Sequence, residues 1–461
     1  MEVPGRRSGT DAVMCLPLPM VGTSIAFDVF LFLAAWPLWW WCGVEQLLPP
    51  MFALWQLGRC AVYRGASLAL GFSELTAVAL AVWSMVPVMW VGRGEMDLFA
   101  KEVVTFWTQA IVLIVLRNAV RDAASWRRVL SGLRTLGVIV ATGGLVYATG
   151  LWRGSITSLV GMVLPERQIA SSEFLTSISI RSLGAESVGG LLDDRAWSFA
   201  LRPSSASMVC LVLIPISVWS GWRGSGWRRV VSWIAASGLL VTLLMTQSRA
   251  GWAAFVAGTL VAAMLVAVRT SHTSLRVLVV SGAACVGIVF AATTGPSAVD
   301  AMHRVVTEIR PESWRTRLEL YRETIEMFAE HPIAGWGHAV ERVDRRRVFS
   351  AGTHSAPLGM LFQHGIVGLV LYVALWVSIW RVIIRNLLPS LRSGSRSGEF
   401  WIVATVAMFA FNLRETVDNW WWDQLVTIVV WCFWGLVLTG PSVVARPMAP
   451  RGGMGGVGSG T

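Results

Sequence analysis

GPSAVDAMHRVVTEIRPESWRTRLELYRETIEMFAEHPIAGWGHAVERVDRRRVFSAGTHS, residues 295–355, is a polar island between two apolar runs. It holds nine Arg and nine Asp or Glu, with four of the chain's six histidines: His303, His331, His338 and His354. The runs on either side, 277–294 and 357–380, have the length and apolar character of membrane-spanning helices. A charged, partly helical excursion between two such helices is the natural place for chemistry on a polar substrate.

Similar apolar runs recur from about residue 24 to 440. Of the 461 residues 55% are hydrophobic and 14% charged, where soluble domains carry roughly 25% charged residues. The expected fold is an all-α integral membrane protein of about 12 transmembrane helices with a long, partly helical extracytoplasmic loop. The spans are read at 24–43, 45–60, 68–91, 100–117, 133–151, 198–219, 230–247, 250–268, 277–294, 357–380, 400–413 and 424–440. This divides the chain into a cytoplasmic N-terminal segment (1–23), helices one to nine with an outer loop at 152–197 (24–294), and the large extracytoplasmic loop (295–356). Helices ten to twelve (357–440) and a disordered cytoplasmic tail (441–461) complete it.

The net charge is +11, and Lys101 is the one lysine. Many arginines stand in short turns between spans, which is the positive-inside pattern and not a nucleic-acid-binding face. Twelve spans put both termini inside and both long loops outside. No cleavable signal peptide is evident, so the first span is expected to direct insertion. Cys15, Cys42, Cys60, Cys210, Cys285 and Cys432 lie in or beside apolar segments, as buried thiols do. No internal repeat of the kind many transporters carry is visible.

Arg249, in TQSRAGW (246–252), interrupts two spans at their outer junction. An arginine at mid-bilayer costs about 2.5–3.5 kcal/mol on insertion scales, and less near the surface. It reads either as a side chain snorkelling to headgroups or as a clamp on phosphate oxygens. Residues 311–329 predict an amphipathic helix with Trp314, Leu318, Tyr321, Ile325 and Phe328 as its apolar stripe. Pro311 suits its first turn and His331-Pro332 its end. Arg315 and Arg322 are spaced to pair with Glu319 and Glu326, while Arg317 borders the stripe. His354 stands just ahead of the tenth span, where a helix N-terminus favours neutral imidazole, a form able to take a proton from a hydroxyl. A satisfied interfacial histidine is the other reading. His331 reads as a helix terminator, His338 sits in a glycine turn, and His364 lies within the tenth span. Arg345-Arg346-Arg347 reads as a solvated strip, and Asp193-Asp194 lacks further ligands at metal-site spacing, so no metal is expected. Trp420, Trp421 and Trp422 read as an interfacial belt, with stacking on sugar rings as the alternative.

Three pieces, TQSRAGW (246–252), RLELYRETIEMFAEHPIAGWG (317–337) and THSAPLGMLFQHGIVGLVLY (353–372), resemble the O-antigen ligase and polymerase superfamily (Wzy_C-like) of bacterial envelope glycosyltransferases. The resemblance is specific over Thr246–Tyr372, looser around RAWSFALRP (195–203), and topological elsewhere. It implies a GT-C-like multi-pass protein of the bacterial plasma membrane with its site on the outer face. It implies transfer of a glycan from undecaprenyl pyrophosphate to a glycan, lipid or protein acceptor, with no metal or other cofactor. Membrane lipids are further partners; nucleic acid is not. By this likeness Arg249 and Arg317 serve the pyrophosphate and His354 acts as base or positions the acceptor. Ser248, Arg315, Arg195, Arg202 and His338 are the further substrate-binding candidates. Many members carry Asn after the histidine, where this chain has Ser355. Ligase and polymerase share this donor chemistry, and both readings stand. The rival is a transporter or flippase of a lipid-linked glycan, opposed by the scarcity of ionisable residues inside the spans. Convergence of Arg249, Arg317 and His354 is what would separate the two.

Overall fold

The computed structural model describes residues 18–64, 68–152, 154–170, 173–185, 195–200, 202–269, 311–344, 347–352, 354–393, 398–421 and 423–444. The first half of the bundle is built from α1 (Leu18–Ala34), α2 (Trp36–Cys42), α3 (Leu48–Arg64), α4 (Phe72–Trp83), α5 (Met96–Ala119) and α6 (Ala123–Ala148). The first polar loop folds as β1 (Ser155–Thr157), α7 (Leu159–Val163), α8 (Glu166–Ala170), α9 (Glu173–Ser179), β2 (Ile180–Ser182), β3 (Gly184–Ala185) and β4 (Arg195–Ala196). Then come α10 (Pro203–Arg223), α11 (Gly226–Met245) and α12 (Arg249–Arg269). The second polar loop supplies α13 (Pro311–Phe328), β5 (Val340–Asp344) and β6 (Arg347–Ala351). The chain returns through α14 (Ala356–Ser393), α15 (Gly398–Glu415) and α16 (Gln424–Val444). The strands form three antiparallel hairpins, in the last of which Val340 opposes Ala351 and Asp344 opposes Arg347.

The helical membrane class is borne out. Seven helical runs among the described residues are long and apolar enough to cross a membrane, and an eighth if α1 and α2, bent by 55°, form one broken span. The expected span at 277–294 lies outside the described residues. Those at 45–60 and 400–413 correspond to α3 and α15, which fall short of the seven in length or apolar character, and that at 424–440 to the apolar stretch Gln424–Gly440 of α16. Two boundaries differ for local reasons. α6 starts ten residues before the expected 133, because the Asp122 carboxylate caps it, accepting from the N–H groups of Ala124 and Ser125 at 2.8 Å. α10 starts at Pro203 and not 198, because Ser198 and Phe199 take positive φ, 45° and 63°.

α16 occupies the centre. Its residues from Gln424 to Gly440 are all buried, as befits a helix apolar on every side, and it packs on α5, α6, α10 and α14. α6 packs on α1 and α11, and at Gly144 the two backbones approach so closely that a Cβ there would overlap the Thr242 side chain. Small residues at a membrane helix contact serve this purpose. Glu45 and Arg181, each 2% exposed, form a 2.6 Å ion pair that ties the first polar loop to the α2–α3 turn. Arg117 donates to the carbonyl of Leu438 at 3.1 Å, and Arg223 and Arg269 reach Glu399, all at the end opposite both polar loops.

α14 is two helices joined at Gly365, where φ is 67° and ψ −169°. The break leaves the carbonyls of Phe362 and Gln363 without their helical donors. The N–H groups of Trp336 (2.9 Å) and Gly337 (2.7 Å) take their place, and the N–H of Ile366 finds the carbonyl of Pro332 at 2.9 Å. The segment Pro332–Gly337 is thus stitched into the helix.

Two expectations are corrected. The apolar stripe of α13 packs only in part: Leu318 and Ile325 are about half exposed and Tyr321 and Phe328 half-buried, while Leu320, Thr324 and Met327, outside the stripe, are buried. Arg317 and Tyr321 share that packed face, at helical spacing from Leu320 and Thr324. Of the three tryptophans, Trp420 and Trp421 form no exposed belt or sugar platform, being 2% and 1% exposed in the core. Trp420 and Tyr372 both donate to Glu415, at 3.0 and 2.6 Å. Trp422 lies outside the described residues.

Candidate active site

Three helices begin at the polar-loop end of the bundle close to one another. Ser248 caps α12, accepting from the N–H of Gly251 at 3.2 Å, and Gln247 before it has φ 50°. Arg249 is the first residue of α12 and is exposed. Gly251 faces α10: a Cβ on it would lie 2.9 Å from the Cβ of Ser207. Arg202, exposed, precedes Pro203 at the head of α10. The third helix is α14, where Ser355 accepts from the N–H of Leu358 at 3.4 Å. Serine is among the residues that cap helices best, and Ser355 fills that position here.

The end of α15 closes the group. Arg414, 3% exposed, donates from Nε to Ser207 Oγ at 3.3 Å and from Nη2 to Asp418 Oδ2 at 2.8 Å. Its Nη1 has no hydrogen-bond partner among the described residues. A buried donor left unmatched costs about 1–3 kcal/mol or more when charged, a cost that a bound acceptor removes.

His354 has φ 64°, a left-handed conformation uncommon outside glycine. Its carbonyl accepts from the Tyr321 hydroxyl at 2.8 Å, which anchors it to α13 one turn beyond Arg317. Its imidazole is held below the ordinary histidine range, first by desolvation in the surrounding protein. Arg317, Arg202 and Arg414 push in the same direction, and Asp418 opposes them. Burial pushes the Tyr321 hydroxyl up, Arg317 opposing and Asp418 reinforcing. Arg202, Arg317, Arg414 and Asp418 therefore all lie within electrostatic reach of one neutral imidazole. Ser207 links Arg414 to the α12 terminus that bears Ser248 and Arg249.

The other candidates fall as follows. Arg195 lies on β4 opposite Ala185, in the hairpin that packs over α6, α10 and α11. Arg315 stands two positions before Arg317 on α13, about 200° round the helix axis. His338 is not gathered with His354: its Nδ1 meets the carbonyl of Ala339 at 2.7 Å and its Nε2 lies 3.3 Å from Glu95. His331 stacks on Trp90 at 5.3 Å. Sequence reasoning missed Arg414, Asp418 and Ser207. The available signal was an Arg and an Asp four residues apart in the short link between the last two spans.

Fold and site together define a multi-pass helical membrane protein with a cationic, histidine-bearing surface at one end of its bundle. A model of the O-antigen ligase family matches residues 232–373, from within α11 to within α14, so the resemblance to that superfamily is borne out over this stretch. The family is one of glycan-transferring membrane enzymes. No curated protein matches the chain. The matched stretch carries Ser248, Arg249, Arg315, Arg317, His338 and His354 and leaves Arg195, Arg202, Arg414 and Asp418 outside it.

Proposed function

We propose that this protein transfers a glycan from undecaprenyl pyrophosphate to an acceptor hydroxyl at the outer face of the bacterial plasma membrane. The acceptor is a sugar of a glycan, lipid or protein. The observation that carries this reading is the meeting of several guanidinium groups, one carboxylate and a neutral histidine where three helices begin. A cation at the head of a helix opposes the dipole; Arg249 stands there, and an anion held by the same helix N-terminus reconciles the two.

Arg249 and Arg317 grip the diphosphate, aided by Arg202, Ser248 and the unmatched Nη1 of Arg414, with Arg195 and Arg315 serving the attached glycan. The acceptor oxygen attacks the anomeric carbon as its proton passes to the His354 imidazole. The bond from that carbon to the diphosphate oxygen breaks, and its electron pair stays on the diphosphate. The negative charge growing there is what fixed guanidinium groups stabilise more in the transition state than in the ground state. The step needs no metal, and a single displacement inverts the anomeric configuration. His338 is left out of the machinery because both its ring nitrogens are engaged.

The test is reconstitution in vesicles with labelled lipid-linked glycan, comparing the natural protein with Arg249→Ala, Arg317→Ala and His354→Ala. Each variant is expected to lose about 10²–10³-fold in rate, the usual cost of removing one transition-state donor. Persistent transfer by all three would defeat the assignment, and a product keeping the donor's configuration would exclude single displacement.

A further inference from the structure

Glu102 of α5 and His364 of α14 face each other inside the bundle, 3% and 0% exposed, with Nε2 3.7 Å from Oε2. Neither carboxylate oxygen and neither ring nitrogen has a hydrogen-bond partner among the described residues. Either charge alone at this depth costs several kcal/mol. Together, with one proton between them, they are neutral whichever group holds it. The ring is held by an aromatic neighbour and the residue by a bond to its backbone. Phe106 meets it edge-on at 4.9 Å, and Trp83 donates to the His364 carbonyl at 2.9 Å.

The location of the pair suggests its use. Gly365 breaks α14 immediately after His364, so the long helix that follows does not align the piece from Ala356 to His364. At its other end that piece bears Ser355 and His354. Gln363, beside His364, donates to the carbonyl of Gly352 at 3.2 Å, and the N–H of Gly352 donates to Thr324 of α13, the helix that carries Arg317. A shift of this piece would move His354 and Arg317 together.

We infer that Glu102 and His364 are positioning residues for His354: as a buried pair whose side chains offset each other's charge at 3.7 Å, they pin the broken-off piece of α14 to α5 and thereby fix where the His354 imidazole stands. Neither touches the reacting atoms, and the inference rests on the proposed transfer reaction only for its kinetic readout.

The experiment uses the purified protein with Glu102→Gln and with the double variant Glu102→Leu/His364→Leu. Two quantities are read: amide hydrogen exchange over residues 356–364, and kcat and KM with labelled polyprenyl-diphosphate glycan. Replacing a buried polar pair by apolar residues is often neutral or stabilising, so the double variant is expected to fold. Its kcat should fall about ten- to hundredfold with donor KM unchanged, as misplacement of a reacting group does, and exchange over 356–364 should quicken. Glu102→Gln, an isostere of the protonated acid, should keep kcat within about twofold of the natural protein, because the alignment survives. Natural kcat and exchange in the double variant would overturn the inference. So would a Gln variant as impaired as the double. If the natural protein transfers no glycan, the proposed function fails while the exchange measurement still decides the pair.

Discussion

At His354 two kinds of constraint coincide: a left-handed backbone angle and an imidazole that the fold keeps neutral. Strain of this kind persists where the surroundings over-determine it, and here the Tyr321 hydroxyl and the Ser355 cap do so. Because desolvation and three arginines hold the pKa below its ordinary 6.5, the base form prevails at neutral pH and protonation stops transfer only in more acid solution. The profile of kcat/KM against pH should be flat at neutrality with its acid limb below 6.5. Asp418→Asn removes the one carboxylate that favours the charged ring, so the limb should move further down. Arg317→Ala removes a repelling cation, so in its residual activity the limb should move up. Arg414→Lys keeps the charge but loses the planar fork, and should raise donor KM about tenfold. Arg249 and His354 were legible as candidates because each is polar beside an apolar span, and Arg317 through the resemblance. Arg414 was not, because its meaning depends on Ser207, 207 positions away.

Among the elements, α14 shows what hydropathy hides. The tenth span reads as one continuous apolar helix, and glycine is common enough in membrane helices to raise no alarm. The break at Gly365 exists because PIAGWG supplies the N–H donors that replace those of the helix. That exchange between distant segments has no signature in local periodicity. Gly365 occupies a backbone region open essentially to glycine, where another residue costs about 1–3 kcal/mol, and a Cβ there would strike the backbone of Ile333 and Ala334. Gly365→Ala should therefore lower the thermal unfolding midpoint in detergent and reduce transfer as His354 shifts. An unchanged midpoint would show that the break is not required. α13 misled in the opposite way. Its exposed Leu318 and Ile325 outweigh Leu320 and Thr324 in hydrophobicity, although a hydroxyl bonded to its own helix, as Thr324 is to the carbonyl of Leu320 at 2.7 Å, buries readily.

Over the whole molecule, segregation of charge was legible and the order of packing was not. Arginines add up turn by turn, so counting them divides the chain into two ends. Nothing in the composition marks α16 as central, because a helix facing lipid and one facing other helices are equally apolar. The division of charge makes a topological prediction. α11 runs from Arg229 near one end to the Ser248 junction at the other, about 30 Å at 1.5 Å per residue. Glu330 follows α13 at the Ser248 end, and both Glu330 and Arg229 are exposed. With Cys15, Cys42 and Cys285 replaced by Ser in the background protein, the remaining Cys60, Cys210 and Cys432 are buried and give little background to thiol reagents. Glu330→Cys should react with a membrane-impermeant maleimide on intact cells, and Arg229→Cys only after permeabilisation. The reverse pattern would put the His354 site in the cytosol, out of reach of a glycan already moved outside.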